Sequence, residues 1–331
     1  MVKLDYDLIY LLSENSRATL KEISQVLKKS SQRIKYSVSV LEKDKILRNP
    51  YCIFDYSYLG LILFRVYFKG AYITEQDKNL IIKELTNNPY VVSIYELEGE
   101  FDLTLEFSCP NPSKFNKELK KILNIIPTLN DYKIVLNLVT HIYPRYYLSS
   151  DKTILKELSP EKIIGGDREI EVFNRNELEV MRNLLLNPKI RLIELASSSK
   201  LNIKTAKSIL KNLKKRNIVR GFKYIIDENK LSINKCRLFL KLHNLSLERE
   251  SQLMKFLLNT QEIVQANKTV GDWDLEIDLE TLEKNKIRLI IAQLREQFKD
   301  LIERFNLMEF YDYYKRSYLP LALFKEEQIK I

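Results

Sequence analysis

"LKEISQVLKKSSQRIKYSVSVLEKDKILRNPYCIFD" (Leu20–Asp55) lies without a gap over "LIELASSSKLNIKTAKSILKNLKKRNIVRGFKYIID" (Leu192–Asp227). The offset of 172 places Ile23 on Leu195, Val38 on Leu210, Leu41 on Leu213, Ile46 on Ile218 and Arg48 on Arg220. In the same register "GEFDL" (Gly99–Leu103) meets "GDWDL" (Gly271–Leu275), and a one-residue slip brings "RYYL" (Arg145–Leu148) onto "RSYL" (Arg316–Leu319). The 331-residue chain is therefore an internal duplication of a unit of about 150 residues, each the size of one or two small domains.

Each unit changes character halfway. Its first part is helical: Leu8, Leu11 and Leu12 form one apolar stripe, Leu20, Ile23 and Leu27 a second, Ile34, Val38 and Leu41 a third. Ser30 and Asn202 stand where the third helix of each copy needs a capping side chain. "ILRNPYCIFD" after the third helix has the composition of a short hairpin, and three short helices plus a hairpin predict a winged helix-turn-helix. The second part alternates strand and helix in the order βαββαβ, which predicts a four-stranded antiparallel sheet carrying both helices on one face. Leu103, Leu105 and Phe107, matched by Leu275, Ile277 and Leu279, share one strand face. The opposite face carries Thr104 and Glu106, then Glu276, Asp278 and Glu280, with Arg65, Lys69, Arg237 and Lys241 on the first strands; charge pairing on a partly wet face is expected there. The fold class read from this order is α+β, two tandem copies of a winged helix-turn-helix followed by a ferredoxin-like (βαββαβ) domain.

The net charge of +10 is not spread evenly. Arg17–Arg48 holds nine basic residues against three acidic ones, and Lys189–Arg220 holds ten against Glu194 alone. The remainder of the chain carries a net −5, so positive charge is gathered onto two homologous segments, as a polyanion-binding surface requires. No run approaches the roughly 18 apolar residues of a membrane helix, and the start, with acids inside its apolar pattern, reads as a domain beginning. Cys52, Cys109 and Cys236, odd in number and without metal-type spacing, read as core residues of a cytoplasmic protein. No metal set, no phosphate-cradling glycine motif and no nucleophile–base cluster is visible, so neither a metal nor a cofactor is expected. His141 and His243 fall at non-equivalent positions and read as strand-end residues. The Tyr-rich "EFYDYYKRSYLPLALF" (Glu309–Phe324) reads as a packing or subunit interface. Gly99 and Gly271 sit at hairpin tips; the turn reading of Gly-x-x-Asp outweighs a small-molecule rim, with Asp272 and Trp273 enlarging the second tip.

Each unit resembles the Lrp/AsnC (leucine-responsive, feast/famine) transcription regulators. The resemblance rests on "SENSRATLKEISQVL" entering the turn, Arg48 and Arg220 at the wing entry, Asp55 and Asp227 at the hinge, the Gly-x-x-Asp hairpins, and "GGDREIEVFNRNE" (Gly165–Glu177), similar to the joint of archaeal two-unit fusions. It implies winged helix-turn-helix domains at 1–56 and 173–228, ferredoxin-like RAM-type domains at 57–148 and 229–320, a linker at 149–172 and a tail at 321–331. It further implies contact with double-stranded DNA through the third helices, by Ser31, Gln32, Arg33, Lys35, Tyr36 and Arg48 in the first copy and Lys204, Thr205, Lys207, Ser208, Lys211 and Arg220 in the second. Gln and Arg suit base edges, whereas the lysines suit phosphates. Self-association through the sheets is implied too, as is an amino-acid effector at Gly99, Asp102, Gly271 and Asp274. The chain departs from the family in placing Lys28 and Lys200 where a turn glycine is usual, and Ser37 and Ile209 where the recognition helix usually has Arg. Two other readings stay open: an enzyme resembling the siroheme decarboxylases of haem synthesis, which share this architecture, and an interaction scaffold without DNA binding.

Overall fold

The computed structural model describes residues 4–72, 74–151, 154, 161–244 and 246–324. Three short helices open the chain: α1 (Tyr6–Glu14), α2 (Leu20–Leu27) and α3 (Ser31–Lys43). Each begins on a side chain that accepts an otherwise orphaned amide, from Asp5, Thr19 and Ser30 in turn, and Thr19 with Glu22 closes a reciprocal capping box. Leu8, Leu11, Leu12, Ile23, Ile34 and Leu41 bury their stripes in one cluster. Between α2 and α3 the backbone turns through Lys28 in the left-handed region (φ 51°).

The chain then enters β1 (Leu47–Phe54), followed by β2 (Ile62–Phe68), α4 (Glu75–Asn87), β3 (Val91–Glu98), β4 (Leu103–Cys109), α5 (Pro112–Ile125) and β5 (Tyr132–Ile142). A short β6 (Lys162–Gly165) leads to α6 (Arg175–Leu186), α7 (Leu192–Ser198), α8 (Ile203–Lys215) and β7 (Val219–Ile226). The second βαββαβ run is β8 (Asn234–Leu242), α9 (Leu247–Asn259), β9 (Ile263–Val270), β10 (Leu275–Thr281), α10 (Lys284–Gln297) and β11 (Ile302–Arg316). Helices α6 to α8 repeat the order of α1 to α3, with Asn202 accepting the Thr205 amide at 2.8 Å and Lys200 at φ 55° in the turn.

The hairpin expected after each third helix does not form. β1 is one continuous strand, and its partner is β7, its own counterpart 172 residues on, from Leu47 opposite Ile226 to Phe54 opposite Val219. Asn49 and Pro50 produce a register shift between Arg48 and Tyr51 and no chain reversal, so the strand's hydrogen bonds are completed across the duplication.

Within each half the strand order is that of a ferredoxin-like sheet, β5-β2-β4-β3 and β11-β8-β10-β9. The two sheets are joined at both edges, β3 to β11 and β5 to β9, all antiparallel, so eight strands close into a ring. Closure corrects the expectation of a wet inner face. Leu103, Leu105 and Phe107 lie beneath the helices as anticipated, but Thr104, Glu276, Asp278 and Glu280 are at most 2% exposed, as are Arg65 and Arg237. Each sheet covers the other, which a single unit's alternation pattern cannot reveal. Lys69 and Lys241, at strand ends, keep solvent contact beside Glu100 and Asp274, and Glu106 is half-buried.

The stretch read as a linker carries β6, which adds to β5 from Val139 to Ile142; residues 152–153 and 155–160 of that stretch, and 325–331 of the tail, lie outside the described residues. Cys52, Cys109 and Cys236 are buried free thiols, and burial pushes the latter two up to about 12. Among the described residues no helix is long and apolar enough to cross a membrane, and no group of three metal-ligating side chains occurs.

Candidate nucleic-acid interface

α3 buries Ile34 and Leu41, and α8 buries Ala206 and Leu213, which fixes the faces that remain outside. On α3 those are Ser31, Gln32, Arg33, Lys35 and Tyr36, the last 66% exposed. On α8 they are Lys204, Lys207, Ser208 and Lys211, with Thr205 half-buried. Among the described residues the side chains of Gln32, Arg33, Lys35, Lys204, Lys207 and Lys211 have no ion-pair partner in the chain, so each helix presents uncommitted donors. Ser37 and Ile209 are half-buried, and Ile209 packs against the hydrophobic core. The two three-helix groups touch: the Arg17 guanidinium donates to the carbonyls of Pro188 (3.0 Å) and Ile190 (2.8 Å).

Arg48 and Arg220 are placed apart from these helices, on the β1–β7 ribbon. Arg48 grips Asp312 of β11 at 2.6 and 3.3 Å, with Asp227 at 4.0 Å. Arg220 has no acidic partner among the described residues, and its Nε is buried without an acceptor.

The Gly-x-x-Asp tips are structural joints. Gly99 (φ 142°) and Gly271 (φ 145°) occupy backbone that disfavours any side chain, and each passes close over the last strand of the other half. A Cβ on Gly99 would meet Met308 at 3.4 Å, and one on Gly271 the Ile134 carbonyl oxygen at 3.1 Å. Asp102 accepts the Gly70 amide, and Asp274 accepts the Leu242 amide (2.8 Å) and Lys241 Nζ (3.1 Å), tying each hairpin to the end of the first strand. Trp273 is buried against Phe239, with Arg304 over its ring, and so does not widen a rim; Asp272 pairs with Lys133. The Tyr-rich segment supplies β11, which binds β8 of its own half and β3 of the other; it is an interface, between halves of one chain.

The charge pairing expected on the inner sheet faces is present, but sequence reasoning missed that it is buried and runs from one half to the other. Arg65 binds Glu106 and Glu276, the latter also taking the Tyr67 hydroxyl at 2.8 Å, while Arg237 forks onto Asp278 at 2.6 and 2.9 Å. Arg145 reaches Glu280 (2.7 Å), and Lys223 reaches Glu14 (2.7 Å). Burial alone would favour the neutral acid, yet Arg145 and Lys235 hold the Glu280 carboxyl far below the usual range. Arg on the first strand and acids on the third mark the pairs within each half, whereas the links between halves, Arg65 with Glu276 and Arg145 with Glu280, carry no local signal. His141 is held at Nδ1 by Glu161 (2.7 Å), with burial lowering its pKa, and His243 is exposed.

Residues 1–48 match the family model of winged helix-turn-helix DNA-binding domains. The chain is 30% identical over 127 residues to an uncharacterised HTH-type transcriptional regulator of Pyrococcus abyssi, covering 37% of this chain and 84% of that one. It is 31% identical over 112 residues to its counterpart in Pyrococcus furiosus, covering 34% and 72%. Among solved structures, the siroheme decarboxylase NirDL is similar over 97% of this chain and 94% of its own, with a TM-score of 0.58 at 13% identity, a likeness of fold. The chain belongs to the Lrp/AsnC-type helix-turn-helix transcription regulators.

Proposed function

We propose that this chain is a DNA-binding transcription regulator whose two unequal winged units, 1–56 and 173–228, act as the halves of a pseudo-dimer held together by the paired sheets of 57–148 and 229–320. The observation that supports it is the pair of helices α3 and α8, each with its apolar stripe buried and its unpaired basic face outward, on a shared two-stranded ribbon. In helix-turn-helix dimers two such helices enter successive major grooves about 34 Å apart. Here α3 carries Gln32 and Arg33, able to read base edges, and α8 carries Lys204, Lys207 and Lys211, suited to phosphates. The site on DNA should therefore be asymmetric. Arg48 is engaged by Asp312 and serves this reading as a joint between α3 and the sheets; Arg220 is the freer of the two wing arginines.

Genome-wide footprinting of the intact chain tests the proposal. Protected sites with one conserved, sequence-specific half and one tolerant half are expected; perfect palindromes, or no protection at low salt, refute it. An amino-acid effector at the hairpin tips belongs to the same reading, and calorimetric titration with single amino acids, with and without duplex, tests it.

The fold likeness to NirDL over nearly the whole chain keeps an enzyme of the siroheme decarboxylase kind as the second reading. Neither histidine supports it: His141 is committed to Glu161, and His243 lies at a strand end on the surface. Absorbance on mixing with an iron tetrapyrrole separates the two readings, since a bound tetrapyrrole shifts its Soret band and a regulator leaves it unmoved.

A further inference from the structure

The duplication allows each half to serve as a control for the other, and at one place the two halves differ in charge. Lys189 in the second half corresponds to Arg17 in the first, Glu42 to Lys214, and Arg48 to Arg220. On one side of the ribbon these positions are neutralised: Lys189 pairs with Glu42 at 2.7 Å, and Arg48 pairs with Asp312 at 2.6 Å and approaches Asp227. On the other side the acids are missing. Arg17 and Lys214 share the Phe222 ring, their charged groups 4.9 and 5.4 Å from its centroid, so a cation stands where the first arrangement has a carboxylate. Arg220 finds no counterpart of Asp312.

A cleft of about 440 Å³ opens at this point, lined by Lys162, Lys214, Asn217, Arg220 and Phe222, with Glu14 and Glu161 at its wall. Both acids are already engaged, Glu14 by Lys223 and Arg145, Glu161 by His141. Among the described residues Arg17, Lys162, Lys214 and Arg220 form no ion pair. Arg17 and Lys214 crowd one ring, and burial, followed for Lys214 by Arg17 itself, lowers the pKa of both. A multiply charged anion would supply the compensation that Glu42 and Asp312 give the other side, and the volume lies within the range of small-molecule sites.

We infer that the cleft between β6, the end of α1 and the α8–β7 corner is a binding site for a phosphate-bearing small molecule, with Lys162, Lys214 and Arg220 as its direct ligands and Arg17 behind Phe222 supporting the potential. Lys214 lies one turn beyond Lys211 on α8, so the cleft adjoins the C-terminal end of the lysine face proposed to meet DNA phosphates, with Lys204 about 15 Å away along the helix. The ligand would bridge the second helical group to β6 on the sheet ring and reinforce its contact with the first. Its effect on operator choice rests on the proposed function; its binding does not.

The test is calorimetric and thermal titration of the intact chain, without DNA, using inorganic phosphate and pyrophosphate at constant ionic strength against sodium chloride. One saturable site is expected, with a rise in Tm that is larger for pyrophosphate. Lys162→Glu should abolish it. Lys214→Glu, which copies Glu42, should abolish it while keeping or raising the Tm in chloride, because the new carboxylate reaches Arg17; that variant separates loss of site from loss of fold. A non-saturable response, or an undiminished response in Lys214→Glu, overturns the inference. So does displacement of pyrophosphate by one equivalent of mixed-sequence duplex, which would make the cleft a DNA phosphate contact. Saturable pyrophosphate binding by a chain that ignores duplex sustains the site and defeats the regulator reading instead.

Discussion

Lys28 and Lys200 hold the turns between the second and third helices at φ 51° and 55°, where an L side chain crowds its own backbone at a cost of about 1–2 kcal/mol. Glycine relieves the crowding but adds freedom to the unfolded chain, worth about 0.4–1 kcal/mol in the other direction. Lys28→Gly and Lys200→Gly should thus each be neutral to stabilising by up to about 1.5 kcal/mol in chemical denaturation; a loss of stability would show that the lysine side chains make contacts the turn depends on. Lys315 offers a second test. Its ammonium donates to the Thr86 carbonyl at 3.1 Å with no acid beside it among the described residues, and burial pushes its pKa down to about 8 from 10.5. Between those values the unfolded chain holds more protons than the folded one, so stability rises with pH across that window. Lys315→Met should raise stability by about 1–2 kcal/mol at pH 7, with the advantage lost as pH climbs from 8 to 10.5. Equal gains at pH 7 and pH 10.5 would contradict the assignment.

The elements divide labour between grip and reading. Replacing Lys204, Lys207 and Lys211 by Ala should weaken binding to every duplex and flatten the salt dependence by up to about three phosphate contacts. Replacing Gln32 and Arg33 should relax sequence preference at about 1–3 kcal/mol per bidentate pair lost. Binding isotherms on matched and scrambled duplexes at several salt concentrations measure both; uniform loss from the second pair of substitutions would refute the division. Inside the strand ring, Arg237 faces Asp278 and lies 3.9 Å from Glu276, all buried. Arg237→Met strands Asp278, while Glu276 keeps Arg65 and Tyr67, and should cost about 3–5 kcal/mol, whereas adding Asp278→Leu should recover a large part, because it removes the carboxylate left buried without a partner. A double-mutant cycle in denaturant reads the difference.

At the scale of the molecule, the ring is closed only when both halves are present. Each half alone would expose two sheet edges and the charged inner face, Arg65 with Glu106 on one, Arg237 with Asp278 on the other. Residues 1–151 and 161–331, produced separately, should remain poorly folded or self-pair, and should assemble one-to-one when mixed, as read by sedimentation. Two halves that fold as stable monomers would show that the edge pairings β3–β11 and β5–β9 are dispensable.

Residue periodicity was enough to read the helix order, the caps at Ser30 and Asn202, the alternation of each sheet and the basic outer faces of α3 and α8, because all of these depend on neighbours within a turn or two along the chain; the duplication was legible from residue matches at a fixed offset of 172. What lay beyond reach depended on contacts between residues well over a hundred positions apart. Whether "ILRNPYCIFD" folds back on itself or pairs with its counterpart, whether Glu276 meets water or the Arg65 guanidinium, and whether Arg48 is free or held by Asp312 were all settled by one half docking on the other. A repeated pattern states what each copy needs to bury; only the folded chain states what buries it.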